Sequence, residues 1–179
     1  SLTEGQTYVT NTGLSGRLGI WTGVWQLIQD RPWLGYGYGW KKLAWVVKDS
    51  GYPEQWKASA PDSYDYFVRI TKLRYGAVNP HNLPLQVTFE IGLIGLALFL
   101  WLWGTVIARL PALIRRGDSE AKGVAFGAFG ILAAYALYNV TNGFWGGIYG
   151  NMMMVLMAVV CVAHRQTRGV ARTHVRERP

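Results

Sequence analysis

Residues 81–107 read HNLPLQVTFEIGLIGLALFLWLWGTVI and form the longest apolar run in the chain. Between Leu83 and Ile107 the only charged side chain is Glu90. A helix needs about 20 predominantly apolar residues to cross the ~30 Å hydrocarbon core of a bilayer. A soluble helix of this length normally carries a polar stripe, which this stretch lacks. We therefore interpret it as a transmembrane helix.

Two further apolar runs follow it in the chain of 179 residues. Residues 124–140 and 143–163 contain no charged side chain, so we place the three spans at about 82–107, 123–141 and 143–163. The prediction is an all-α integral membrane protein. Its residues 1–80 form a large external segment with short amphipathic helices, and residues 81–179 form the membrane portion.

Nine of the 18 Lys and Arg side chains lie in residues 1–80, and the other nine lie next to the spans, where short loops set the orientation. Basic side chains follow the first and third spans: Arg109, Arg115, Arg116 and Lys122, then Arg165, Arg168, Arg172, Arg176 and Arg178. The connector 142–147 has no charge. Basic ends stay in the cytoplasm, which places residues 1–80 outside. The spaced arginines of the tail suit anionic membrane lipids better than nucleic acid.

Residues 16–30 have the apolar spacing of an amphipathic helix, which we place in the outer membrane interface. Trp21, Val24 and Ile28 point within about 40° of Arg17, so the arginine shares the apolar face. Its planar guanidinium suits a phosphate or a pyrophosphate. An arginine that reaches up to lipid phosphates is the alternative.

His81 lies at the start of the first predicted span. Asn79 is a good helix N-cap and Pro80 suits the first helical position, so His81 is predicted in the first turn. Free backbone amides there attract anions and disfavour a protonated imidazole. Gly92 and Gly95 would share the side of His81, within about 40°, and let another helix approach. A capping or interface histidine is the alternative.

Other polar residues allow two interpretations each. Glu90 is a functional candidate because charged groups inside a membrane are costly, but it could equally be neutral and hydrogen-bonded. Arg69, Lys72 and Arg74 form either a solvated face or a site for a lipid-linked phosphate. The sequence GYGYGW, residues 35–40, predicts a tight aromatic turn, since it lacks the spacing of a phosphate loop. Three scattered histidines and a single cysteine indicate no metal site.

Two segments resemble a known family. SGRLGIWTGVWQLIQDRPWLGYGYG, residues 15–39, and HNLPLQVTFEIGLIG, residues 81–95, are similar to motifs of the O-antigen ligase and O-antigen polymerase superfamily of bacterial envelope proteins, which includes exopolysaccharide polymerases. The resemblance covers roughly residues 15–100. It implies that this chain is the C-terminal portion of a larger protein of the bacterial inner membrane, with residues 1–80 in the periplasm.

The resemblance also implies an activity. Such enzymes are metal-independent inverting glycosyltransferases that need no cofactor. They move a glycan from an undecaprenyl diphosphate carrier to an acceptor sugar hydroxyl, on lipid A core or on a growing polysaccharide. The essential histidine of the family corresponds to His81 and its loop arginine to Arg17. Another family arginine lies in an earlier external loop that this chain lacks, so we expect the fragment to be inactive alone.

With that activity in view, Arg69, Arg74 and Asn82 become candidates for binding the donor. Tyr36 and Tyr38 could line the sugar path, although anchoring in the membrane interface explains them equally well. Polymerase remains an alternative to ligase. The rival class is a non-catalytic membrane transporter or lipid-glycan binding protein. A transporter should carry polar groups deep inside several spans, whereas here the polar features gather at the outer surface.

Overall fold

The computed structural model describes residues 14–140, 142 and 147–176, and every regular element within them is helical. Three candidate spans are long and apolar enough to cross a bilayer: Leu83–Arg116, Ser119–Asn139 and Ile148–Thr167. The all-α class and the three spans predicted from the sequence are thereby confirmed by length and composition. Within the uncharged connector 142–147, residues 143–146 are outside the described part of the chain.

The described chain forms two compact units. The first contains residues 14–96 with 140 and 142, and the second contains residues 97–139 and 147–176. One long helix contributes its first part to one unit and its remainder to the other. The predicted division into residues 1–80 and 81–179 therefore stays a prediction.

Short helices build most of the first unit. They are α1 (Leu14–Asp30), a 3-10 turn (Trp40–Lys42), α2 (Leu43–Ser50), α3 (Tyr52–Ser59), α4 (Pro61–Tyr64) and a π-helix (Asp65–Ile70). The long helix α5 (Leu83–Ile107) follows.

The apolar face of α1 packs into the core of this unit. Val24 and Leu27 are fully buried, and Ile20 and Ile28 nearly so. They share one hydrophobic cluster with Trp56 and other side chains of the short helices. The predicted placement of this face in the membrane interface is not confirmed, because protein covers it.

Helix α5 is broken at Gly92, where φ is 72° and ψ is −175°. In an unbroken helix the amides of Leu93 and Ile94 would bond to the carbonyls of Phe89 and Glu90, four residues earlier. The break releases these four backbone groups in an apolar segment. Each of them needs another partner, since an unpaired backbone group in lipid costs several kcal/mol.

The turn after α1 supplies all four partners. The backbone hydrogen bonds run from Leu93 to Pro32, from Ile94 to Trp33, from Tyr36 to Phe89 and from Gly37 to Glu90, at 2.7, 3.4, 2.8 and 2.7 Å. Two helical hydrogen bonds are thus replaced by four between α5 and the turn. The Glu90 side chain adds a fifth link, since its Oε2 accepts the amide of Gly39 at 3.0 Å.

The second unit packs the end of α5 with α6 (Leu110–Arg116), α7 (Ser119–Asn139) and α8 (Gly147–Arg176). Its buried cluster contains Val106, Leu110, Leu113, Ala121, Ala125, Ala128, Leu132, Met153, Met157 and Val160. The alanines of α7 let its neighbours approach closely. Side chains after residue 167, including the last arginines of the tail, lie outside the described part.

Candidate active site

His81 lies in a turn before α5 and not in its first helical turn. Helix α5 begins at Leu83, and Asn82 caps it, because its Oδ1 accepts the amide of Leu85 at 3.0 Å. The choice of Asn79 as the cap was therefore wrong. The Asn79 Oδ1 instead accepts the amide of His81 at 2.8 Å, which closes an Asx turn.

The predicted alignment of His81 with a glycine stripe was also wrong. His81 has a left-handed backbone conformation, with φ at 49°, so helical angles do not apply to it. The break at Gly92 then interrupts the helix that would carry the stripe. Gly95 leaves room for the side chain of Ile91, one turn earlier in α5. The two glycines therefore serve different purposes.

Tyr66, in the π-helix, holds the turn that contains His81. Its hydroxyl donates to the carbonyl of Asn79 at 2.9 Å and accepts the amide of Asn79 at 3.0 Å. The Tyr66 ring meets the His81 imidazole edge to face, with centroids 6.5 Å apart and planes at 74°. Burial raises the pKa of Tyr66 above its usual 10.0, and the hydrogen bond to Asn79 opposes that effect. The phenol therefore stays neutral near pH 7.

Arg17 and His81 are brought into one electrostatic neighbourhood by the fold. Burial lowers the pKa of His81 below its ordinary value of 6.5, and the positive charge of Arg17 lowers it further. Both side chains are half-buried. The arrangement gives a neutral imidazole beside a permanent cation, so one group can accept a proton while the other binds an anion.

The position of Arg17 is set by the close packing of α1 against α4. The buried Ser63 hydroxyl donates to the carbonyl of Gly19 at 2.6 Å. A β-carbon on Gly19 would lie 2.5 Å from the Asp62 β-carbon and 3.1 Å from the Ser63 amide nitrogen. Only a glycine permits so close an approach. The contact fixes α1 two residues after Arg17.

The other predicted basic residues are exposed. Arg69 pairs with Asp65 at 3.1 Å, and its guanidinium lies 5.7 Å from the centre of the Tyr64 ring. Its side chain is 61% exposed, and an exposed ion pair of this kind contributes only about 0–1 kcal/mol. Arg74 is also exposed, beyond the π-helix. Donor binding by either residue stays a prediction.

The aromatic turn and Asn82 have clear structural roles. The Tyr36 hydroxyl donates to the carbonyl of Leu27 at 3.0 Å, and its ring stacks on Phe89 at 5.0 Å. Tyr38 is 65% exposed. The amide of the Asn82 side chain donates to the carbonyl of Val140 at 3.1 Å. These contacts account for Tyr36 and Asn82 without substrate, and substrate binding by the three residues stays a prediction.

Glu90 is buried and hydrogen-bonded, which confirms the hydrogen-bonding part of one interpretation, while its neutral form stays a prediction. It is 1% exposed, and its Oε1 accepts the side-chain amide of Gln86 at 3.0 Å. With the bond from Gly39, both carboxyl oxygens have partners. Within the described residues no three His, Cys, Asp or Glu side chains are grouped so that they could hold a metal ion.

A known protein family matches the part of the chain that contains the candidate site. The family model described as O-Antigen ligase matches residues 3–100, which include both Arg17 and His81. The chain belongs to the O-antigen ligase family. As a member with three membrane-length apolar helices, it is a membrane protein.

Individual proteins similar to this member of the O-antigen ligase family carry a related description. A protein of Rickettsia typhi named "Putative polysaccharide ligase" is 30% identical over 150 residues, which are 83% of this chain and 33% of that protein. Proteins with the same description from Rickettsia conorii and Rickettsia prowazekii are 29% and 30% identical over the same shares. The chain thus spans about a third of the length of these relatives. No solved structure matches it significantly.

Sequence reasoning found Arg17 and His81 but missed the residues that hold them. Tyr66 and Ser63 carry no motif, and both lie in a segment of mixed polarity. In the structure this segment forms α4 and the π-helix, over residues 61–70. No sequence period predicts that these side chains reach residues 19 and 79.

Proposed function

We propose that this protein is the part of a membrane glycosyltransferase that moves a glycan from an undecaprenyl diphosphate carrier to an acceptor sugar hydroxyl in the periplasm. The observation that carries the proposal is that the fold brings Arg17, far away in the sequence, close enough to His81 for its positive charge to lower the pKa of that histidine. Membership of the O-antigen ligase family supports the class of reaction.

His81 is the general base in this proposal. A histidine base must be unprotonated, and therefore neutral, at the working pH and within hydrogen-bond reach of the proton it removes. Burial and Arg17 both depress the pKa of His81, so the imidazole is neutral and able to accept a proton at pH 7. It takes the proton of the acceptor hydroxyl as the oxygen attacks the anomeric carbon of the donor.

Arg17 stabilises the leaving group. As the new glycosidic bond forms, the bond from the anomeric carbon to the diphosphate breaks, and the electron pair leaves with the diphosphate. A guanidinium donates paired hydrogen bonds to phosphate oxygens and neutralises the charge that develops there. Direct displacement inverts the anomeric configuration, and the charge is balanced by arginine instead of a metal ion. Arg69 or Arg74 would assist Arg17 from the exposed side.

The acceptor distinguishes ligase from polymerase within this reaction. A ligase transfers the glycan to lipid A core, whereas an O-antigen or exopolysaccharide polymerase transfers it to another repeat unit. The relatives are named polysaccharide ligases, and we prefer the ligase for that reason. Deletion in the native host separates them. An O-antigen polymerase deletion leaves single repeat units on the core, a ligase deletion leaves none, and loss of only a secreted polymer indicates an exopolysaccharide polymerase.

The decisive test is His81→Gln in the complete protein. Glutamine keeps hydrogen bonding but cannot take up a proton, and loss of a general base lowers rate by about 10²–10⁴-fold. We expect glycan transfer to fall by that factor while the lipid-linked donor still binds. His164→Gln, in the tail helix α8, is the matched control. Transfer by His81→Gln within a few-fold of the parent contradicts the proposal and favours a non-catalytic transporter or glycan-binding protein.

A further inference from the structure

One hydroxyl satisfies both backbone groups of the residue two positions before His81. Tyr66 donates to the carbonyl of Asn79 and accepts its amide, at 2.9 and 3.0 Å. The Asn79 side chain then accepts the amide of His81 at 2.8 Å. These three bonds form a continuous path from the Tyr66 phenol to the backbone of His81.

His81 needs such support because its own conformation is unfavourable. Its φ of 49° lies in the left-handed region, where a residue with a β-carbon is held only by its surroundings. Helix α5 begins after it, so no helical hydrogen-bond ladder fixes its orientation. The edge-to-face contact of the Tyr66 ring also restricts the plane of the imidazole. Tyr66 therefore acts on both the backbone and the ring of His81.

The same short segment holds both members of the candidate site. Ser63 bonds to Gly19, two residues from Arg17, and Tyr66 bonds to Asn79, two residues from His81. Tyr66 belongs to a π-helix spanning Asp65–Ile70. Such helices are rare and occur frequently at functional sites, where their wider turn redirects side chains.

We propose that Tyr66, acting through Asn79, is a positioning residue that sets the imidazole of His81 relative to Arg17. The inference rests on the function proposed above, in which His81 removes a proton. Proton transfer requires close approach, and a displacement of about 1 Å can lower the rate by about 100-fold. Tyr66 touches no reacting atom in this account and acts only by fixing the residue that does.

The test is Tyr66→Phe in the complete, membrane-inserted protein, assayed with the lipid-linked donor and its acceptor. The change keeps the ring and removes the hydroxyl. We expect kcat to fall by about 10- to 100-fold and the KM for the donor to stay within about twofold, because His81 acts in the transition state. Tyr52→Phe is the matched control, since it removes a hydroxyl bonded to Asp30 at 3.0 Å in the same unit.

A second series keeps the proposal testable if Tyr66→Phe fails to fold. Asn79→Ala removes the acceptor of the His81 amide but leaves the Tyr66 bonds to the backbone of residue 79 in place. Asn79→Ser restores a weaker acceptor, because a serine hydroxyl forms the same kind of turn less well. We expect kcat to fall in the order Asn, Ser, Ala with the donor KM unchanged.

The outcomes separate the two proposals. Parent-like kcat in Tyr66→Phe or, if that variant does not fold, in Asn79→Ala overturns the positioning role, while an inactive His81→Gln still supports the proposed function. A parallel rise in donor KM, or an equal loss in Tyr52→Phe, shows a general structural effect and also overturns it. A fully active His81→Gln removes the base itself and, with it, the reaction that Tyr66 would serve.

Discussion

Gly35 and Gly92 meet backbone to backbone, and a β-carbon on Gly35 would lie 2.8 Å from the amide nitrogen of Gly92. A β-carbon on Gly92 would in turn overlap the carbonyl of Trp33. Because both have positive φ, neither position tolerates a side chain without movement of the backbone. The contact joins the turn after α1, the helix that carries Arg17, to the broken helix α5, which begins two residues after His81.

Gly92→Ala should therefore be among the most damaging small substitutions in the described chain. The conformation at φ 72°, ψ −175° is open almost only to glycine, and strain of this kind costs about 1–3 kcal/mol before the overlap with Trp33 is counted. We expect lower thermal stability and lower transfer activity in detergent or nanodiscs. Gly104→Ala, in the same helix but with open space around it, is the control. Equal stability of the two variants would show that the turn does not need the break.

Arg17→Lys should lose most of the transfer activity while the protein still inserts and accumulates. Lysine keeps the positive charge but offers no planar pair of donors to a diphosphate. The measurement is transfer by the complete protein at matched expression, with donor affinity determined in parallel. Near-normal activity would reduce Arg17 to a point charge or a lipid anchor.

Arg17→Gln should move the acid limb of the pH profile of kcat/KM to higher pH. That limb reports the pKa of the free enzyme's base, and removing the positive charge lets the pKa of His81 rise toward its ordinary 6.5. Burial is the larger cause of the depression, so the shift should be partial. Tyr66 keeps its proton across this range, because its pKa is raised above 10.0. An acid limb that stays in place, or moves to lower pH, would contradict the effect of the Arg17 charge on the pKa of His81.

The orientation across the membrane can be read with single cysteines in a Cys161→Ala background. Ser63 is unsuitable as an external probe because it is buried, whereas Glu54 is exposed on α3. A membrane-impermeant thiol reagent should reach cysteines at positions 54 and 142 from the periplasm but not one at 119, since the basic connector precedes Ser119. Labelling at 119 alone would reverse the orientation and remove the periplasmic site.

The pattern of apolar residues determined the class of the protein without any tertiary information. Length and hydropathy are local properties of the chain, so the runs after Leu83 predicted three spans, and the structure contains three helices long and apolar enough to cross a membrane. Arg17 and His81 were also identifiable, because the face of a short helix and the approach to a span are visible in sequence. Their roles as base and anion ligand stay predictions until variants are assayed.

The electrostatic effect of Arg17 on His81 and the roles of the glycines depend on tertiary contacts that the sequence does not reveal. At the break near Gly92, backbone groups of α5 bond to the turn after α1, which is distant in the sequence. No helical period reveals these bonds. Asn82 caps α5 in place of Asn79, whose Oδ1 accepts the amide of His81 in the turn before the helix. The apolar face of α1 packs against Trp56 and its neighbours instead of facing the membrane interface. Local sequence specifies which groups need partners, whereas the fold specifies which partners they obtain.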